Sequence, residues 1–322
     1  MKVIGVSPGT TGYSLTIADA DRPQLRAGEV LIRIAYAGVN RADLLQAQGL
    51  YPPPAAASTT LGLECSGWRE DTNQAVMALL PGGGYAEYCA VDEGCLVEVP
   101  DNLSIESAAG FMETFITTYL NIFELGAISS GQRILVHGGG SGIGTSAIQL
   151  CREAGVDVVV TTGTEEKCNR CLELGATHAI NYHTQNFSEV TRDLTDGRGV
   201  DLVLDCIGGS YLSQNMRCLN QDGRLVVIGL MGGSKAELNL AQLLGKRIQI
   251  IGSTLRNLPL ERKRDIIASF MARFGDSLQA GRLSPITHTT LPLDEAQEAH
   301  TIMKTSSHFG KIILSVAGPA PS

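Results

Sequence analysis

The sequence predicts a two-domain α/β protein, a mostly β domain followed by a doubly wound parallel sheet, and three observations carry the prediction. The chain has 322 residues, more than a typical single domain, and 43% of them are hydrophobic, enough for two sizeable cores. Short β-type runs separated by Gly and Pro dominate the first hundred residues. From Arg133 onward, apolar runs suited to strands buried on both faces alternate with stretches of helical spacing.

In the first region the β-type runs include Glu29 to Tyr36 and Tyr85 to Val91. The pattern turns helical from Ser104, and Phe111 to Leu125 bridges into the second region. There Ile134, Leu135 and Val136 form a short buried strand, and Ile143, Ala147, Ile148 and Leu150 recur at helical spacing directly after it. Between them lies the glycine-rich turn Gly138-Gly139-Gly140-Ser141-Gly142-Ile143-Gly144. Without side chains such a turn takes unusual backbone angles and lets a pyrophosphate reach the amides at the positive end of a helix. It is not a strict G-x-G-x-x-G, because Ser141 stands where a glycine is required when the pattern is set to end on Gly144.

The context strengthens the dinucleotide reading. Strands follow at Val156–Thr161, Thr177–Ile180, Val200–Asp205, Arg224–Ile228 and Arg247–Ile251, with helical spacers between them. Six strands fit the order 3-2-1-4-5-6. After Ser253 an amphipathic helical stretch runs through Phe274, and Leu283 to Val316 is expected to return to the first domain. The tail Ala317–Ser322 is expected to be disordered.

Composition narrows the function. A net charge of −8 argues against nucleic acid or an anionic membrane surface as the main partner. No apolar run approaches a membrane span and Met1-Lys2-Val3 lacks the regions of a signal peptide, so a soluble cytoplasmic protein is expected. The eight cysteines form no secreted disulfide framework. Cys168 and Cys171 make a C-x-x-C inside a predicted helix, where coincidence outweighs a redox role. Cys89 and Cys95 alone cannot hold a structural zinc, and His178, His183, His288, His300 and His308 have no metal-binding spacing. His137, at a strand end, is read as supporting its neighbours rather than acting chemically.

Gly38-Val39-Asn40-Arg41-Ala42-Asp43-Leu44-Leu45-Gln46 with Gly49-Leu50-Tyr51-Pro52, then Leu61-Gly62-Leu63-Glu64, Gly82-Gly83-Gly84-Tyr85-Ala86-Glu87-Tyr88, Glu113-Thr114-Phe115 and the Gly-Ser turn extend the argument. Together they resemble the quinone oxidoreductase branch of the medium-chain dehydrogenase/reductases over nearly the whole chain. The Gly140-Ser141-Gly142 turn is most similar to that of the tumour-suppressor-inducible quinone oxidoreductases and their bacterial relatives, with zeta-crystallin a more distant cousin. The resemblance implies a bilobal α/β enzyme: a GroES-like β domain over residues 1–112, with 256–322 returning to it, and a Rossmann NADPH-binding domain over 113–255. The nicotinamide is then expected in the cleft between the two.

Zinc-dependent relatives carry a cysteine where this chain has Asn40 and a G-H-E where it has Gly62-Leu63-Glu64, so the resemblance implies a zinc-independent enzyme. Lacking that Lewis acid, it is expected to reduce acceptors already electrophilic, quinones or conjugated enones. Two departures stand out: the Gly67–Val76 hairpin is shorter than is usual in the family, and Pro8–Asp21 matches poorly.

Cofactor choice follows from charge. The second strand ends Thr161-Thr162-Gly163, without the carboxylate that NAD-binding turns place there. Glu165 and Glu166 suit the positive end of the next helix. By position in the resembling family, Lys167 contacts the 2′-phosphate and Tyr182 the adenosine phosphate, so Gly163, Lys167 and Tyr182 together favour NADPH over NADH. The resemblance adds Thr117 on the nicotinamide side, Gly229 and Leu230 after the fifth strand, and Phe309-Gly310-Lys311 as the closing cofactor contact. On the substrate side it implies Asn40 and Tyr51 as catalytic, Asn40 donating to a quinone oxygen and Tyr51 stacking or donating. A packed turn aromatic remains an equal reading of Tyr51 beside Pro52-Pro53-Pro54.

The expected reaction is hydride transfer from NADPH to a quinone. The alternatives are an NADPH-dependent enone or enoyl reductase and a non-catalytic NADPH-binding redox sensor. A homodimer is expected through the last strand of the nucleotide sheet, since an apolar edge left open invites pairing.

Overall fold

The structure is a computed structural model and describes residues 1–9, 12–55 and 57–316; the tail expected to be disordered lies outside the described residues. In chain order the strands are β1 (Lys2–Gly9), β2 (Gly12–Asp19), β3 (Glu29–Gly38), β4 (Glu64–Arg69), β5 (Ala75–Leu79), β6 (Tyr88–Asp92), β7 (Leu96–Glu98), β8 (Arg133–His137), β9 (Asp157–Thr162), β10 (His178–Asn181), β11 (Val200–Asp205), β12 (Leu219–Val227), β13 (Gln249–Gly252), β14 (Thr287–Pro292) and β15 (Lys311–Ser315). The helices are α1 (Arg41–Ala47), α2 (Ile105–Ala108), α3 (Met112–Tyr119), α4 (Gly142–Glu153), α5 (Glu165–Leu174), α6 (Phe187–Asp193), α7 (Leu212–Cys218), α8 (Leu240–Lys246), α9 (Leu260–Gln279) and α10 (Ala296–Thr305). They divide into two units, residues 1–116 with 255–322 and residues 117–254, and the chain passes from the first to the second within α3.

The first unit is built on the sheet β14-β15-β3-β4-β5-β7 and the hairpin β1-β2. Strand β3 is long enough to serve three partners: β4 along one edge, and on the other β6 over its first half and β15 over its last residues. Its apolar residues Ile32, Ile34 and Ala37 are fully buried. Leu44 of α1, Leu61, Tyr85, Ala299 of α10 and Leu314 of β15 share one core with Ile4 and Leu15 of the hairpin. The trimmed Gly67–Val76 connection closes tightly because Asn73 takes φ +57°.

The second unit is a six-stranded sheet in the order β10-β9-β8-β11-β12-β13, every adjacent pair parallel. This is the doubly wound order 3-2-1-4-5-6 expected from the sequence. Central β8 is apolar at its core because both faces are covered, and Ile134, Leu135 and Val136 have no exposed surface. Cys168 and Cys171 are buried on α5, and of the eight free cysteines only Cys206 is partly exposed.

Several strand boundaries differ from expectation: β6 starts at Tyr88 rather than Tyr85, β3 continues to Gly38, and β9 and β10 are displaced by one residue. β12 starts at Leu219 rather than Arg224, continuing the chain directly out of α7. The last strand starts at Gln249 rather than Arg247, because Arg247 is the left-handed C-cap of α8, with φ +52°. Its guanidinium pairs with Asp222 at 2.6 Å, and the Lys246 ammonium bonds the carbonyls of Arg217 and Leu219 at the end of α7. Both cations are therefore engaged away from the β13 edge that they border in sequence.

Candidate active site

In the second unit the expected cofactor residues gather at the carboxyl ends of the parallel strands, where open α/β sheets bind ligands. The glycine turn follows β8, Gly163 follows β9, Tyr182 follows β10, and Gly229 and Leu230 follow β12. Gly138 takes φ +77°, closed to most side chains, and a β-carbon at Gly144 would overlap the carbonyl oxygens of Gly138 and Gly139. The first helical turn thus lies directly against the strand end, leaving Gly139, Gly140, Gly142 and Ile143 to form the rest of the turn. Ser141 replaces a pattern glycine by capping α4, its hydroxyl accepting from the Gly144 amide at 3.0 Å.

Gly163 and Tyr182 meet: a β-carbon on Gly163 would come 2.7 Å from the Tyr182 hydroxyl. Lys167 is half-buried in the first turn of α5, and desolvation holds its ammonium below the usual lysine range. An anion beside it would reverse that burden. The Thr117 hydroxyl is buried and has no hydrogen-bond partner among the described residues. Its neighbour Thr118 bonds Ser146 of α4 at 2.7 Å, which fixes Thr117 beside the helix that carries the turn. Such an orphaned donor fits a polar ligand group. The nicotinamide dinucleotide therefore suits this unit.

His137 has the supporting place expected of it. Its Nε2 lies 2.7 Å from Asn215 Oδ1, which can only accept, so this nitrogen carries the proton, while Nδ1 faces the Thr161 hydroxyl at 3.0 Å. Burial lowers its pKa, so the ring is neutral. Asn215 in turn donates to Asp205 at 3.0 Å, and Asp205 accepts from the amides of Ile207 and Gly208. This buried chain, which neither motif nor periodicity marks, anchors the loop after β11.

In the first unit the expected residues meet around a buried ion pair. The Lys311 ammonium bonds Glu64 Oε1, Asn40 Oδ1 and the Val39 carbonyl at 2.7, 2.7 and 2.8 Å. Lys311 and Glu64 are 3% and 0% exposed in their side chains, so the pair is insulated from solvent. All three ammonium donors have acceptors, so Lys311 closes this cluster and has none left for a cofactor. Phe309 is buried just before it, and Gly310 at φ +86° lets the chain pass Ile286. Any cofactor contact of Phe309-Gly310-Lys311 must come from elsewhere than this ammonium.

Asn40 differs from expectation in the same way. Its amide donates to Glu64 Oε1 at 3.0 Å and faces the Gly38 carbonyl at 3.4 Å, so neither hydrogen is left over for a quinone oxygen. It also starts α1 through a capping box with Asp43. Asp43 is fully buried, accepting from the amides of Asn40 and Gly62 and from the Tyr85 hydroxyl, with desolvation raising its pKa to about 6. Behind Tyr85 stands His300, whose pKa burial lowers to about 4 and which reaches Tyr13 at 2.8 Å.

Tyr51 is partly exposed and its hydroxyl has no hydrogen-bond partner among the described residues. Its turn is clamped by Arg256, only 3% exposed, which bonds the carbonyls of Tyr51 and Pro81 and the side chain of Gln46 and lies 5.3 Å from the Tyr51 ring centre. Lys263 fixes the Arg256 carbonyl at 2.6 Å. The ring is packed, as the structural reading of Tyr51 expects, and the hydroxyl is unpaired among the described residues. Sequence reasoning missed Arg256 and Lys263, which look like exposed positions of an amphipathic stretch.

This donor set is unsuited to zinc. Leu63 is buried and offers no ligand, and an ammonium already sits between Asn40 and Glu64, where it would repel a dication. Among the described residues no group of three or more His, Cys, Asp or Glu could hold a metal, and no helix is long and apolar enough to cross a membrane.

Residues 26–82 match the alcohol dehydrogenase GroES-like domain family, and residues 142–273 the family described as zinc-binding dehydrogenase. The human quinone oxidoreductase is 27% identical over 297 residues, covering 89% of this chain and 88% of its own length. A phenolphthiocerol/phthiocerol polyketide synthase of Mycobacterium tuberculosis is also 27% identical, over 94% of this chain, which spans only 14% of that protein. The solved quinone oxidoreductase of Thermus thermophilus, determined also in complex with NADPH, is 29% identical with a TM-score of 0.85, covering 98% of this chain and all of that one. With both family matches in sequence order and the paired GroES-like and doubly wound folds, the chain belongs to the medium-chain dehydrogenase/reductase superfamily.

Proposed function

We propose that this oxidoreductase is a zinc-independent, NADPH-dependent quinone oxidoreductase. The observation that carries the reading is the Lys311–Glu64–Asn40 cluster: a buried ammonium fills the polar pocket where zinc-dependent relatives hold their metal-binding residues. Without that Lewis acid an alcohol has no electrophile to stabilise its alkoxide, whereas a quinone accepts hydride unaided. The human and Thermus thermophilus quinone oxidoreductases among its relatives support the same substrate class.

Bound nicotinamide supplies the hydride. The chain's own residues bind and position: the Gly140, Gly142 and Ile143 amides of the glycine turn for the pyrophosphate, Lys167 and Tyr182 for the adenosine phosphate, the Thr117 hydroxyl for the nicotinamide side, and Gly229 and Leu230 for the wall of the pocket. On the substrate face Tyr51, clamped by Arg256, offers a free hydroxyl to the oxygen on which charge develops. Asn40 holds the Lys311–Glu64 pair in place.

The deciding experiment compares NADPH oxidation with 1,2-quinones, 1,4-quinones and small enones, with and without a chelator. Turnover of quinones that survives chelation is expected, and a Tyr51→Phe variant should lose about tenfold or more in kcat/KM. Preference for enones would make the chain an enoyl-type reductase, and tight NADPH binding without turnover of any acceptor would make it a redox sensor.

A further inference from the structure

Hydride transfer to a quinone leaves an oxyanion that needs a proton, and the first unit contains three carboxyl groups in one neighbourhood. Two are fully used. Glu64 accepts from Lys311 and Asn40 on one oxygen and from the Glu113 amide, at 2.9 Å, on the other. Asp43 accepts from two backbone amides and Tyr85. The third, Glu113 in the first turn of α3, has its backbone pinned by Glu64, yet its carboxyl group has no hydrogen-bond partner among the described residues and keeps part of its surface exposed.

The charges around Glu113 explain why it keeps its proton. Glu64 of β4 and Asp43 of α1 repel a further negative charge, while Lys311 of β15 and Lys263 of α9 attract one. Lys311 is already spent on Glu64, and Lys263 on the Arg256 carbonyl. Tyr51 and Arg256 complete the surroundings, each within electrostatic reach of the Glu113 carboxyl. Burial, followed by Glu64, raises the Glu113 pKa to about 8, so the group is a neutral acid at physiological pH.

We propose that Glu113 is the proton donor that neutralises the quinol oxyanion, acting beside the Tyr51 hydroxyl; the assignment rests on the quinone reductase reading above. In the step, the Glu113 O–H bond breaks as a new O–H bond forms on the quinol oxygen. The hydride has by then supplied both electrons, and the products are a neutral quinol and the Glu113 carboxylate. Solvent returns the proton through the exposed edge. The transfer runs downhill, since a phenolic oxygen has a pKa of about 10.

The test has three readouts. In the protein without cofactor, infrared difference spectra across a pH titration should show a protonated carboxyl band that disappears with a midpoint near 8 and is missing in Glu113→Gln. In the wild type, kcat with a 1,4-quinone should fall as pH rises through the same midpoint. In Glu113→Gln, kcat should drop by about 10² or more with NADPH affinity unchanged, the pH limb should vanish, and the loss should shrink for electron-poor quinones whose quinols are more acidic. A wild type that turns over quinones with a flat profile from pH 6 to 9 overturns the assignment even if the variant does not fold. So does a Glu113→Gln protein that keeps its kcat and pH limb, or a limb that moves only in Tyr51→Phe. A wild type inert toward every quinone removes the quinone reading itself, and with it the proton step; the infrared band then reports only the ionisation of Glu113.

Discussion

The two units meet their ligand requirements in opposite ways. The second uses backbone: a glycine turn and a left-handed residue at the strand ends, with its buried acid Asp205 satisfied by amides and Asn215. The first uses buried side chains: the Lys311–Glu64 ion pair with Asn40 is brought together from distant points of the chain, with the Glu113 amide bonded to Glu64, and Asp43 and Arg256 are each held by their own polar partners. A backbone site tolerates changes around it and depends on small residues. A charge cluster depends on every member, because removing one leaves another buried without a counter-charge.

The largest expected effect breaks the charged side of this contrast. Lys311→Met should destabilise the protein by about 3–5 kcal/mol, because Glu64 is left as an uncompensated buried carboxylate. Chemical denaturation would measure it, and a loss below about 1 kcal/mol would show that solvent reaches the cluster. The double variant Lys311→Met, Glu64→Gln should recover much of the loss.

The cofactor side is sharpened by Lys167→Ala. Removal of a charge-assisted contact to the 2′-phosphate should cost about 1.5–3 kcal/mol, so NADPH affinity falls by at least about tenfold while NADH affinity is unchanged. Calorimetric titration of both cofactors checks this, and equal dissociation constants in the wild type would remove the NADPH assignment.

A third test concerns the β13 edge of the backbone-built unit. Ile250 there is 40% exposed, and Lys246 and Arg247 are engaged elsewhere, so we expect a second copy to pair with this strand. The Ser253 amide donates to the Val227 carbonyl, so along β13 the amides of Gln249 and Ile251 also turn toward β12 and that of Ile250 faces the open edge. Ile250→Pro removes this edge donor and should weaken the dimer by about 1–3 kcal/mol, counting two symmetric hydrogen bonds. Sedimentation of the unmodified protein as a monomer would end the idea.

A pH slope tests the charged side a second way. Glu113 binds its proton more tightly in the folded chain, with a pKa of about 8, than unfolded, about 4.3. Between those values the folded state holds a proton that the unfolded state has released, so this group's contribution to stability declines as pH rises and levels off above about 8. Glu113→Gln should therefore melt close to the wild type at pH 5 and higher than it at pH 9. The same difference at both values would contradict the raised pKa.

The sequence by itself determined the doubly wound sheet and its order, because β8, β9 and β11 are buried on both faces and must be apolar through their middles, and because a turn at a helix start needs its glycines locally. It also marked the residues of that turn and placed His137 in a supporting role. The start of β13 was not legible, since whether Arg247 ends a helix or opens a strand depends on its pairing with Asp222, 25 residues earlier. The engagement of Asn40 and Lys311 was decided only by the tertiary structure. Their separation of 271 residues leaves no periodic or spacing signal, and a charged residue reads as a surface residue until its partners arrive. Glu113 is the sharpest case: its motif was visible, but its retained proton follows from the neighbours that fold around it.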